Sequence, residues 1–386
     1  MSAPLPLQGL AGAQIVIRGV NWLGDAVMTT PALLRLRQAW PKASISLLSP
    51  EKLADLWLQH PALDRVLSFG PKENAWSVAK RLREEQFDLG LVLPNSFRSA
   101  FELWRAGIPL RIGYGGQWRT WLLTHPVPPH PDAVRMRKRP PSEIRKLLEE
   151  KELKPPAPTI PNQAHHLHQY LHLVSQLGAD ATPIAPQLAI ADSEIRAALQ
   201  QAQIDPASKP LLFALNPGAE YGPAKRWPVE SFVAAARAIH ARTGCQWVIV
   251  GGNDDRALAE QVASELSQSE RPVGTDIAHS VLNLAGRTTL RELCAILKAC
   301  RVLLTNDTGP MHVAAAVGTP VVVPFGSTSP ELTGPGLPGG SRHQLLRARS
   351  VPCSPCFLRR CPIDFRCMQQ IQVADVVEAV CRAVKD

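Results

Sequence analysis

The stretch TNDTGPMHVAAAVGTPVVVPFG, from Thr305 to Gly326, joins two apolar runs through a polar tip and a helix of small residues. Val302–Leu304 and Val321–Val323 are short, continuous and rich in β-branched residues, the pattern of strands buried on both faces of a parallel sheet. Between them Thr308 suits an N-cap, Pro310 a first helical turn and Gly318 a stop. Strand, loop, helix and strand in that order form a parallel α/β unit. Its loop lies at the carboxyl end of a strand, where open sheets of this kind bind ligands. The unpaired amides and positive dipole end of the helix start attract an anion. Gly309 lets that anion approach, and His312 adds a donor one turn on. A plain capped helix with no ligand fits the same residues.

The alternation extends in both directions. In the second half PLLFALN, QWVIVGG, VLNLAG, RVLLTN and PVVVPF read as strands. Helices are expected near 231–242, 255–267 and 289–299, with an amphipathic terminal helix in IQVADVVEAVCRAVK. In the first half QIVIRG, SISLL, residues 65–68, LGLVLP and LRIGY read as strands, with helices near 53–59 and 78–85. After the first strand, Thr30 and Pro31 suit an N-cap and first helical position; a continuous helix kinked at Pro31 is the alternative. From about 125 to 161 the chain is rich in proline and base, which predicts a mobile insert over the surface. The helix HHLHQYLHLVSQLG then closes the first half, and ADATPIAPQLAI suits a linker. The expectation is an α/β fold of two doubly wound domains, residues 1–182 and 183–386, facing across a cleft.

With 386 residues, 45% hydrophobic and 19% charged, the chain is long enough for two globular domains. No apolar run approaches the ~20 residues of a membrane span. The opening MSAPLPLQGLAGAQ lacks a basic n-region and an apolar core, so a cytoplasmic protein is expected. Lys and Arg outnumber Asp and Glu 42 to 33, which favours anionic partners. No zinc-finger spacing, RNA-binding aromatic signature or long basic helix points to nucleic acid. Cys353, Cys356, Cys361 and Cys367 form a C-x2-C-x4-C-x5-C run. Zinc or an iron–sulfur cluster would suit such a run, but only one pair has familiar metal spacing, so a reduced structural loop is expected. His165, His168 and His172 share a helical face without a nearby carboxylate or Cys, and a solvated face is expected.

Three strand-end loops of the second half carry polar chemistry. In NPGAEYGPAKRW, Asn216, Pro217 and Gly218 make a tight turn with Lys225 and Arg226 beside it. In GGNDDRAL, two glycines permit close backbone approach, and Asp254 or Asp255 caps a helix and could bind ribose hydroxyls. With the Asp307–Pro310 loop these suit a diphosphate. Neither G-x-G-x-x-G after the opening strand nor a P-loop occurs, which argues against a dinucleotide dehydrogenase or a P-loop NTPase.

VNWLGDAVMTTPAL, NPGAEYGPAKRWP, TNDTGPMHVAAAVGTPVVVPFG and PCSPCFLRRCPIDFRCM, in this order along nearly the whole chain, resemble the bacterial ADP-heptose:lipopolysaccharide heptosyltransferases, and the heptosyltransferase II branch most closely. The resemblance implies a GT-B fold and an inverting transfer that needs no metal or other cofactor. It implies ADP-L-glycero-D-manno-heptose as donor, and as acceptor the heptosylated Kdo–lipid A core at the cytoplasmic face of the inner membrane. Asp25 in LGDAV matches the family's proposed general base, which takes the proton of the attacking hydroxyl. Lys225 matches the lysine that neutralises the departing diphosphate. Asp307, Thr308, Gly309, Pro310 and His312 match the donor phosphate loop, and Asp254 and Thr288 fall in regions that resemble the nucleoside pocket. Asn95, Ser96 and Arg98, at another strand end, look like acceptor contacts. The basic insert, with Arg135, Arg137, Lys138 and Arg139, could touch anionic headgroups. The insert departs from the family pattern and leaves acceptor identity open. A transferase of another heptose or core acceptor, or a non-catalytic ADP-sugar-binding module, remains the alternative.

Overall fold

The computed structural model describes residues 12–116, 118–149, 160–205, 210–268, 280–348 and 351–385. By its packing the chain divides into two units. One holds the residues up to Ala133 together with Gln163–Ala189; the other holds Val134–Asn162 and the residues from Ile190 onward.

The first unit is built on strands β1 (Gln14–Arg18), β2 (Ser44–Pro50), β3 (Arg65–Phe69), β4 (Leu89–Val92), β5 (Leu110–Tyr114) and β6 (His125–Val127). They lie in the order β3-β2-β1-β4-β5-β6, every pair parallel. This is the doubly wound order whose switch point falls between β1 and β4. Strands buried on both faces carry the continuous apolar runs that such a sheet requires. Helices α1 (Leu23–Ala39), α2 (Ala75–Glu84) and α3 (Phe97–Ala106) cover it.

Helix α1 starts at Leu23 and runs through Pro31, so Thr30 is not its N-cap. Pro31 has no amide to offer the Val27 carbonyl. The Thr30 hydroxyl donates to that carbonyl instead, at 2.9 Å, and itself accepts the Gln187 amide. The helix expected near 53–59 is a 3₁₀ helix over Glu51–Trp57.

The second unit repeats the topology. Its strands are β7 (Leu212–Asn216), β8 (Gln246–Ile249), β9 (Val281–Asn283), β10 (Val302–Thr305), β11 (Val321–Phe325) and β12 (Gln344–Arg347). They lie in the order β12-β11-β10-β7-β8-β9, again all parallel, with the switch point between β7 and β10.

The segment after β5 differs from the mobile insert expected. Residues 125–127 pair as β6 on the first sheet. Pro141–Glu149 then forms helix α4, whose Ile144 is buried in the core of the second unit. Arg139 donates its amide to the Cys356 carbonyl and its guanidinium to the Pro352 carbonyl. Ile144, the half-buried Leu148 and a few backbone bonds thus attach a polar stretch to the second unit, whereas the expected division at 182/183 left it with the first. Its residues 150–159 lie outside the described residues.

Candidate active site

In the first unit the loops after β1 and β4 leave the sheet at its switch point, where Arg18 and Val92 are paired in register. Asp25 lies in the first turn of α1. Helix α5 (His166–Ser175) packs on α1 and brings two partners to that carboxylate. The buried Tyr170 hydroxyl donates to Asp25, and His166 Nδ1 lies 3.9 Å from Asp25 Oδ1. Burial, with the Asp25 carboxylate next to it, pushes the Tyr170 phenol well above its ordinary range, so the hydroxyl keeps its proton as a donor.

Asn95 is exposed and lines a cavity of about 200 Å³ together with Tyr114, Pro129, His130 and Gln169. Ser96 and Arg98 are engaged elsewhere. Ser96 caps α3 by accepting the Ser99 amide, and Arg98 bonds Glu102 at 2.8 Å and the Glu73 carbonyl at 2.6 Å. The solvated histidine face is corrected: His165 is buried and accepts the Leu167 amide, and His172 Nδ1 lies 3.1 Å from the Tyr114 hydroxyl. Burial and the nearby His130 push His168 and His172 down, so near neutral pH they act as uncharged imidazoles.

In the second unit Asn216 and Thr305, the last residues of β7 and β10, are paired in register, so the loops that follow emerge side by side. The Asn216 side chain accepts the Gly218 amide at 2.9 Å. A Cβ at Gly218 would stand 2.2 Å from Asp255 Oδ1, so any larger residue would displace the Asp255 carboxylate. Buried Asn306 ties the two loops together: it donates to the Pro217 and Gly218 carbonyls and accepts the Trp227 amide.

Lys225 ends a 3₁₀ turn, with its ammonium 2.6 Å from Asp307 Oδ2. The same oxygen accepts the Thr328 hydroxyl, and the ammonium lies 5.1 Å from the centre of the Tyr221 ring. Thr308 is the N-cap residue of α6 (Gly309–Ala316) but makes no side-chain cap bond; Pro310 is in the first turn, and His312 is buried. Arg226 Nη2 lies 4.0 Å from Asp255, and its buried Nε has no hydrogen-bond partner among the described residues. Asp255 rather than Asp254 accepts the Gly252 amide, and burial pushes its carboxyl up. Asp254 is exposed and Thr288 half-buried.

Sequence reasoning assigned no role to Tyr170, His166, Asn306 or Thr328. Asn306 stood beside the quoted loop, but the other three meet their partners only through the fold. Among the described residues no group of three or more His, Cys, Asp or Glu side chains is arranged to hold a metal ion. Cys353, Cys356, Cys361 and Cys367 are free thiols around one small void, with Ile144 and Ala224.

Each unit thus places one charged side chain beside its switch point, Asp25 in the first and Lys225 in the second. The sequence profile of glycosyltransferase family 9 (heptosyltransferase) matches residues 75–137 and 155–365. The chain belongs to that family. The transferase is 28% identical to lipopolysaccharide heptosyltransferase 2 of Escherichia coli K12 over 335 residues, 83% of this chain and 85% of the relative. It is 29% identical to lipooligosaccharide heptosyltransferase 2 of Haemophilus ducreyi over 333 residues, 83% and 86% of the two chains. Its fold matches the solved structure of E. coli ADP-heptose LPS heptosyltransferase II with a TM-score of 0.73, 24% identity, and 96% and 98% of the two chains covered. The α/β GT-B fold is therefore the fold of this transferase.

Proposed function

We propose that this transferase moves L-glycero-D-manno-heptose from ADP-heptose to the heptosylated Kdo–lipid A inner core, with inversion and without a metal, at the cytoplasmic face of the inner membrane. The similarity to heptosyltransferases 2 over 83% of the chain supports the donor and acceptor. The observation that carries the mechanism is the pair of charged groups at the two switch points, Asp25 with its Tyr170 donor and Lys225 with its Asp307 acceptor.

In this reading Asp25 removes the proton of the acceptor hydroxyl as that oxygen attacks the anomeric carbon. One base on the face opposite the leaving group is what inversion requires. The ADP diphosphate takes the charge of the breaking bond. Lys225, Arg226 and the backbone amides near Asn216, Gly218 and Gly309 stabilise it, the work a metal does elsewhere. Asp307 carries negative charge itself, so its part is to aim Lys225, with Thr308, Pro310 and His312 shaping the phosphate loop. Asp254 and Thr288 serve the nucleoside. Asn95 and the cavity beside it take the acceptor saccharide; Ser96 and Arg98 serve by holding the start of α3, on which Asn95 borders.

The test is transfer from ADP-heptose to purified inner-core acceptor in buffer containing EDTA. The wild-type protein should turn over, and Asp25→Asn should lose transfer while still binding ADP. Unchanged turnover in that variant would remove Asp25 as the base, and transfer that needs added metal would remove the metal-free mechanism.

A further inference from the structure

Helix α3 is apolar on two sides. Ala100, Leu103 and Ala106 are buried in the core of the first unit. Phe97, Phe101 and Trp104, spaced four and three apart, lie along another side, where Phe97 and Trp104 are exposed. Trp76 of α2 meets Phe101, with ring centroids 5.3 Å apart, and Trp121 meets Phe97 and Trp104 at 6.4 and 5.4 Å. Trp76 is 59% exposed, Trp121 61%, and nearby Trp118 92%. Large apolar side chains scattered singly over a surface are ordinary, but these rings form one continuous patch.

The rim of the patch is cationic. Lys80 and Arg83 on α2 and Arg105 on α3 stand against Glu84, whereas Arg81 is paired with Glu73, and Arg98 with the buried Glu102 that also holds Arg18. The Arg105 guanidinium lies 4.9 Å from the centre of the Trp76 ring. Tryptophan sits well where hydrocarbon gives way to headgroups, because its ring is apolar and its N–H wants a polar neighbour. Flanking Lys and Arg add attraction to anionic lipid. The patch also adjoins the acceptor side: Phe97 is two residues beyond Asn95, which lines the cavity.

We propose that this aromatic face of α2, α3 and Trp121 is the surface by which the protein seats on an anionic bilayer, bringing a lipid-anchored acceptor's sugar to the cavity at Asn95. The acceptor's being lipid-anchored rests on the function proposed above; the seating does not. The basic insert fits the role less well, because Arg137 is paired with Glu143 and Arg139 is bonded to backbone of the second unit.

The experiment is co-sedimentation of the full chain with phosphatidylcholine vesicles, with and without phosphatidylglycerol, in the absence of donor and acceptor. The wild-type protein should bind the anionic vesicles and release them as salt is raised. The triple variant Trp76→Ser, Trp104→Ser, Trp121→Ser should bind at least ~10-fold more weakly, since the apolar contact supplies most of an interfacial site's affinity. Its transfer to a de-acylated, water-soluble acceptor should be unchanged. Arg105→Glu, a surface change that the fold tolerates more readily, should weaken binding to anionic vesicles alone. Equal vesicle binding by wild type and variants, or none by either, overturns the proposal. So does a triple variant that binds vesicles normally but loses a self-association seen in the wild type, which would make the patch a protein interface. Vesicle binding needs neither Asp25 nor Lys225, so this surface and the proposed chemistry can fail separately.

Discussion

At the scale of single residues, the two charged groups of the proposed chemistry are held in different ways. Asp25 keeps one fixed donor, the Tyr170 hydroxyl, whose own burial makes the contact rigid. Tyr170→Phe removes the oxygen but not the ring. We expect kcat to fall about tenfold, the ~1.4 kcal/mol of one ordinary hydrogen bond, with the donor KM unchanged; steady-state kinetics with each substrate varied would check it. Lys225 is bonded to a nearly buried Asp307, so Lys225→Ala does two things at once. Donor binding should weaken by ~2–3 kcal/mol, the scale of a lost charge-assisted contact. Stability should fall by roughly 3 kcal/mol, because a buried carboxylate loses its partner. Adding Asp307→Asn to Lys225→Ala should restore much of the melting temperature and none of the donor affinity, as read by thermal unfolding and ADP titration. Recovery of both would mean that Lys225 acts on the fold rather than on the diphosphate.

At the scale of elements, α1 shows how a helix carries a proline through its middle. Thr29 and Thr30 both bond carbonyls three residues back, but only the carbonyl of Val27 lacks a helical amide. Thr30→Val should therefore cost about 1–3 kcal/mol, the penalty for unsatisfied buried groups, and Thr29→Val distinctly less. Urea unfolding of the two variants would separate them; equal losses would mean that the Val27 carbonyl finds another donor. The same helix presents Asp25 in its first turn, so its true start at Leu23 is a functional matter. Its N-terminus was obscured in the sequence because Thr-Pro is a strong start signal in isolation. Helix α3 was not read as a helix, because aromatic residues on a second side blurred its period.

At the scale of the whole molecule, each unit repeats one doubly wound order and offers its switch point to a polar loop pair. Each unit also holds a histidine that has little use for a proton, buried in the first and half-buried in the second. His60, in the first, accepts the Ala62 amide on Nδ1, while its buried Nε2 has no partner among the described residues. Burial pushes it down from 6.5 to about 4. Burial, with Arg342 and His312 nearby, pushes His343 in the second to about 4. A folded value below the unfolded one means that the unfolded chain takes the proton first. The neutral histidines' contribution is thus complete above pH 6.5 and is lost as the pH falls towards 4, by about 2–3 kcal/mol each. Urea midpoints measured from pH 7.5 to 4 should fall across that window, and His60→Gln should flatten part of the fall. A midpoint flat down to pH 4.5 would show that these imidazoles are not desolvated as described.

The sequence by itself determined the class of fold and the polar loops. Val302–Leu304 and Val321–Val323 could be only doubly buried strands, and Asn216, Gly218 and Thr308–Pro310 had to follow strand ends. These are local facts, set by side-chain branching and backbone geometry over a few residues. It did not reveal the edge strands β6 and β12, because three or four residues with mixed burial carry too little pattern. It did not give the insert its place, because Ile144, Leu148 and bonds from Arg139 decide it. Nor did it pair Tyr170 with Asp25 or Thr328 with Asp307. Those contacts join residues far apart in the chain, and only the packing of α5 on α1 and the closing of the loops after β10 and β11 bring them within bonding distance.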